Sequence, residues 1–131
     1  MPTRQKTETE SISSSITDDI SLNVCVVIGE VIAEPVTTVL ADGKEVTNCD
    51  VVTYTDEGRS VIPLVLVNVS NVPSEGDHIC AVGFVRKRFF GAGASVQSRT
   101  EVVVRKSVRV RQKAQLRRLL DASAEDLLNA G

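Results

Sequence analysis

The chain has 131 residues, 42% of them hydrophobic, with three Phe, one Tyr, no Trp and a formal net charge of −2. That length allows one domain with tails, burying roughly two-thirds of its unfolded surface. No membrane span is expected, since no apolar run is long enough, no secretory signal, since Met1–Ile20 lacks an apolar segment, and no zinc or disulfide framework, since Cys25, Cys49 and Cys80 lie far apart and are odd in number. The cysteines read as reduced core residues of a cytosolic protein, and the many valines predict an aliphatic core built from strands.

Residues 1–20 are Ser/Thr-rich and polar without a usable period, which predicts a disordered tail. Leu22–Ile32 reads as a strand, with Gly29 marking a bend or a close backbone approach. Glu34-Pro35 bends the run, Val36–Leu40 continues it, and Asp42-Gly43 is a tight turn. Val46–Thr55 and Ser60–Val69 form a strand pair around Asp56-Glu57-Gly58-Arg59, with Pro63 predicting an edge or bulge. His78–Phe90 follows, then the flexible loop Gly91-Ala92-Gly93-Ala94. In the last strand, Arg99–Arg111, Val102, Val104, Val108 and Val110 alternate with Arg99, Glu101, Arg105, Arg109 and Arg111, which predicts one apolar and one charged face. From Gln112 the period becomes helical, through Leu116, Leu119, Leu120, Leu127 and Leu128, and Ser123–Asp126 resembles a capping box that restarts the helix. Five strand segments and one helix predict an all-β domain with a C-terminal α-helix, arranged as a small closed or partly open barrel.

The charges are sorted along the chain. Residues 1–83 carry a balance of −9, residues 84–118 a balance of +10 with Glu101 as their one acid, and residues 119–131 a balance of −3. Clustered Lys/Arg is the electrostatic footprint of a polyanion partner, and the mean charge hides it.

The run Val27-Ile28-Gly29 to Glu34-Pro35, then Asp42-Gly43 and Val46-Thr47-Asn48, resembles the first half of the bacterial single-stranded DNA-binding proteins. Glu75-Gly76-Asp77 with Ile79–Val85, and Arg99-Thr100-Glu101-Val102, resemble that family's second half. The likeness spans about residues 22–110. It implies an OB-fold, a five-stranded Greek-key barrel over residues 21–111, followed by an amphipathic helix over 112–131. Four departures mark a short, divergent relative or accessory paralogue. Glu30 stands where the family has Arg, and Val61-Ile62-Pro63 stands where it has a stacking Trp. The connection Ser70–Asp77 is too short for its helix, and the Leu-rich helix replaces its acidic C-terminal tip.

The candidate site centres on Arg86-Lys87-Arg88-Phe89-Phe90. Single strands are held by cations that track phosphates and by rings on which bases stack. Adjacent Phe residues on a strand point to opposite faces, so one ring is expected to stack while the other plugs the barrel end. Arg99, Arg105, Arg109 and Arg111 extend the basic track, or pair across the sheet with acids from the first 83 residues. Tyr54 is a third candidate platform, or packs against its neighbours. His78 stands alone as a strand-end histidine. No phosphate loop, nucleophile motif or metal cluster is present, so neither an enzyme nor a cofactor is expected.

The resulting expectation is a cytoplasmic, nucleoid-associated homo-oligomer that binds single-stranded DNA without strong sequence preference, with RNA left open. Its setting would be DNA replication, repair or recombination, with proteins of those pathways as further partners. The alternative is an OB-fold interaction module that docks an acidic partner on its basic face.

Overall fold

A computed structural model describes residues 20–129, so the expected tail lies outside the described residues except for Ile20. Among the described residues six strands and one helix follow in chain order: β1 (Cys25–Val31), β2 (Val36–Val39), β3 (Glu45–Thr55), β4 (Gly58–Val67), β5 (His78–Ala92), β6 (Ser95–Arg109) and α1 (Lys113–Asn129). The sheet order is β1-β5-β6-β4-β3-β2, and a further β1–β3 pairing, Glu30↔Val52 and Val31↔Val51, closes it into a barrel. β1 and β2 are the two arms of one strand bent at Glu34-Pro35, the first pairing with β5 and the second with β3. Counted so, the barrel has the five strands expected. β4 and β6 run parallel, Leu64↔Val102 to Leu66↔Val104, which supplies the Greek-key crossing.

The core is aliphatic: Val27, Val31, Cys49, Val51, Leu64, Leu66, Ile79, Ala81 and Val102 pack together from alternate positions of five strands. Cys49 and Cys80 are buried free thiols, and burial, with the Asp50 charge behind it, pushes the Cys49 thiol up to about 11. They are inert space-fillers. Gly29 lies where β1 crosses β3, and a Cβ there would overlap the Val52 carbonyl oxygen. Pro63 faces Asp50 of β3, and β6 joins β4 only from Leu64 onward, so its missing N–H costs no bond to β6. The Asp42-Gly43 turn forms as expected, with Gly43 at φ 86° and the Lys44 N–H donating to Asp42 Oδ1 at 3.0 Å. Between β4 and β5 the chain is a loop, as its length required; Asn68 Oδ1 accepts the Glu45 N–H at 2.9 Å and Asp77 Oδ2 accepts that of Ser74 at 2.9 Å.

Two expectations are corrected. β6 does not alternate throughout: Lys106 pairs with Val82 but Val104 pairs with Gly83, so Arg105 is an extra, bulged residue. The bulge reverses the faces beyond it. Ser107 and Arg109 lie on the face of Ala81 and Ile79, while Val108 lies with Cys80 on the other. The helix likewise does not restart at Ser123. It is continuous, and buried Ser123 donates its hydroxyl to the Leu119 carbonyl at 2.8 Å in place of a cap.

α1 packs on β5 and β6. Leu119 is buried there and Leu116 half-buried, whereas Leu120, Leu127 and Leu128 remain exposed. The expected leucine stripe therefore divides, with its N-terminal half on the barrel and its C-terminal half facing outward.

Candidate nucleic-acid interface

β5 and β6 continue past the barrel as a two-stranded ribbon, paired in register from Arg86↔Glu101 to Ala92↔Ser95. β3 and β4 form a second ribbon, closed by the two residues Asp56 and Glu57 between paired Thr55 and Gly58. Because β4 runs parallel to β6, both ribbon tips project from the same end of the barrel. Cross-strand partners share a face, so the register assigns each side chain to one side.

The outer face carries Tyr54 opposite Arg59, Asp50 opposite Pro63, Arg99 opposite Arg88, and Glu101 opposite Arg86, with Phe90 farther along. Arg99 Nη2 and Asp50 Oδ1 form an exposed ion pair at 3.6 Å between the two ribbons on this side, a contact that solvent screens. The opposite face of the β5–β6 ribbon carries Lys87 and Phe89, with Lys87 Nζ 5.9 Å from the Phe89 ring centre. The expected barrel plug is corrected here. Phe89 is 65% exposed and Phe90 37%, because both sit on the ribbon beyond the barrel. Tyr54 is 72% exposed and is no packing residue.

At the centre of the outer face lies Glu101, its side chain 0% exposed beneath three arginines that each remain 42–45% exposed. Glu101 Oε2 accepts from Arg86 Nη2 at 2.6 Å, Arg86 Nε at 3.2 Å and Arg88 Nε at 3.1 Å, while Oε1 lies 3.8 Å from Arg99 Nε. Burial alone would raise the Glu101 carboxyl, but hydrogen bonds and charge from Arg86 and Arg88 outweigh it and hold the group below the usual carboxylate range. The Arg88 guanidinium also lies 5.4 Å from the Phe90 ring centre, within cation–π range.

The remaining basic candidates are elsewhere. Bulged Arg105 lies over Phe84 at 4.9 Å. Arg109 Nε donates to Asp77 Oδ2 at 3.1 Å at the far end of the barrel, a structural clasp between β6 and the β4–β5 loop. Arg111 is exposed in the turn before α1. The sequence thus ran together one cluster on the ribbons and another around the start of the helix. Arg59 and exposed Val61, both on the outer face, were missed. Their signal was the two-residue turn, which fixes Arg59 opposite Tyr54. Glu30, Glu34, Glu75 and Arg59 line the hollow beside Tyr54. Among the described residues no cluster of His, Cys, Asp or Glu could hold a metal ion, and no helix is long and apolar enough to cross a membrane.

A closed barrel in which a bent first strand pairs with both β5 and β3, and β4 runs parallel to β6, defines an OB-fold. The comparisons agree on the fold. The chain is similar to the structure "Plasmodium falciparum SSB complex with ssDNA", with a TM-score of 0.57 and 19% identity over 68% of this chain and 93% of that one. No family model and no curated protein matches the sequence.

Proposed function

We propose that this protein binds single-stranded DNA through the outer face of its two ribbons, largely without regard to sequence, in replication, repair or recombination. One observation carries the reading: the register gathers Arg59, Arg86, Arg88 and Arg99 with the exposed rings of Tyr54 and Phe90 on one face. These are the two elements that hold a single strand, and they lie on a fold shared with a protein solved with ssDNA. The arrangement requires no chemistry of its own, so the protein acts as a binder rather than an enzyme. RNA stays a competitor, since stacking does not distinguish the two.

Fluorescence anisotropy with labelled oligo-dT across a salt series tests this, with duplex and RNA as competitors. Four outer-face arginines, partly neutralised by Glu101 and Asp50, contact about three to four phosphates, so log K against log salt slopes by roughly −2 to −3. Tight binding that ignores salt rejects phosphate tracking. A second reading has its own support, because this face already accommodates two carboxylates, Glu101 and Asp50. A module docking an acidic protein would show no single-strand binding even at low salt.

We further propose that the protein self-associates, with exposed Leu120, Leu127 and Leu128 of α1 in the contact. Linked copies would raise the effective concentration of sites along one strand and offset the missing Trp and the charge of Glu30. Light scattering is expected to give two or more chains per particle, falling when the three leucines are replaced by Gln. A monomeric parent rejects the proposal.

A further inference from the structure

We infer that Glu101 is a positioning residue for this interface: its carboxylate holds the guanidiniums of Arg86 and Arg88 in the pose in which their outward N–H groups meet phosphate, and through Arg88 it sets the Phe90 ring. The inference rests on the single-strand reading above. The charges at the centre of this face conflict. A carboxylate at the centre of a surface built for a polyanion opposes binding by Coulomb's law, yet this one lies fully beneath the arginines.

The geometry resolves the conflict. A guanidinium has five N–H donors, and Glu101 takes two from Arg86, at Nε and Nη2, and two from Arg88, at 3.1 and 3.5 Å. Among the described residues three donors on each stay free, and both side chains remain more than two-fifths exposed. Long side chains on a free-standing ribbon otherwise lose rotamer entropy when they engage a ligand. Anchored from beneath, these two have lost it already. Arg88, gripped by Glu101, lies over Phe90, so the same carboxylate reaches the stacking platform at one remove. Asp50 is the contrasting case. It is 44% exposed and, among the described residues, its carboxylate has one ion pair, the solvent-screened 3.6 Å contact with Arg99, so its main effect is to reduce the positive field.

The two carboxylates therefore predict opposite signs, and oligo-dT anisotropy reads them. Asp50→Asn is expected to bind as tightly as the parent or more tightly. Glu101→Gln, though it too removes a negative charge, is expected to bind about tenfold more weakly. Nitrogen-15 NMR supplies the readout that a merely structural role would not move. The Arg86 and Arg88 Nε–H groups of the parent are expected to be ordered and slow to exchange before DNA is added, and to lose that order in Glu101→Gln. Tighter binding by Glu101→Gln overturns positioning while leaving the single-strand reading intact. Should that variant fail to fold, the parent spectrum decides: Nε–H groups that are mobile until DNA arrives overturn the inference. A parent that binds no single strand overturns the reading and the inference together.

Discussion

Gly83→Ala is expected to destabilise the protein by about 3 kcal/mol or more, lowering the melting temperature by roughly 10 °C or beyond. Gly83 lies on β5 at the position where the β6 register slips, facing the bulged stretch. A Cβ there would overlap the Val103 carbonyl oxygen and come within 2.8 Å of its carbon and 2.9 Å of Val104 Cα. All three are backbone atoms of a strand paired on both sides, with β5 and with β4, so no side chain can swing away to make room. The bulge must open or the β5–β6 register must slip, and a slip by one residue turns the core face of a strand outward. Gly91→Ala is the control on the same strand. Its Cβ meets nothing within 4 Å and its φ is ordinary, so it is expected to be neutral or slightly stabilising. Thermal and urea melts of both variants check this, and equal melts would mean the bulge does not depend on the glycine.

That glycine also shows where the sequence stops being legible. β1, β3 and β5 were readable because one side of each packs into the barrel, which imposes an alternation such as Val27, Gly29, Val31. The bulge at Arg105 was not, because one extra residue changes the phase of a pattern without changing its local appearance, and its cause lies on another strand. Ser95–Ser98 were assigned to no element, and the last strand was started only at Arg99, for a related reason. They belong to a ribbon exposed on both sides, where no buried face selects apolar residues. Among the site residues, the basic segment and its two Phe were evident from composition. The role of Glu101 was hidden, since its pairing with Arg86, fifteen residues away, exists only once the register is known. Gly29 is the opposite case: a glycine within an apolar strand predicted a bend or a close backbone approach, and the Val52 carbonyl makes the approach.

The largest effect on binding is expected from removing the two outer-face rings together. Tyr54 and Phe90 sit on the two ribbons, on the side that carries Arg59, Arg88 and Arg99, so a strand lying across this face meets both rings. A base stacked on an aromatic side chain contributes roughly 1–3 kcal/mol, so each single Ala variant is expected to lose about 5- to 150-fold in affinity. The double variant Tyr54→Ala/Phe90→Ala is expected to lose about 2–6 kcal/mol, at least thirtyfold. Phe89→Ala is expected to bind like the parent, since its ring stands on the opposite face of the ribbon beside Lys87. None of the three rings belongs to the core cluster, so melting temperatures are expected to stay close to the parent's and the binding changes can be read directly. Anisotropy with oligo-dT at one fixed salt concentration measures all four variants. If Phe89→Ala loses as much as Phe90→Ala, the strand contacts both faces of the ribbon and the single-face assignment fails. If neither Tyr54→Ala nor Phe90→Ala changes affinity, bases do not stack here, and the arginines hold the strand by its phosphates alone.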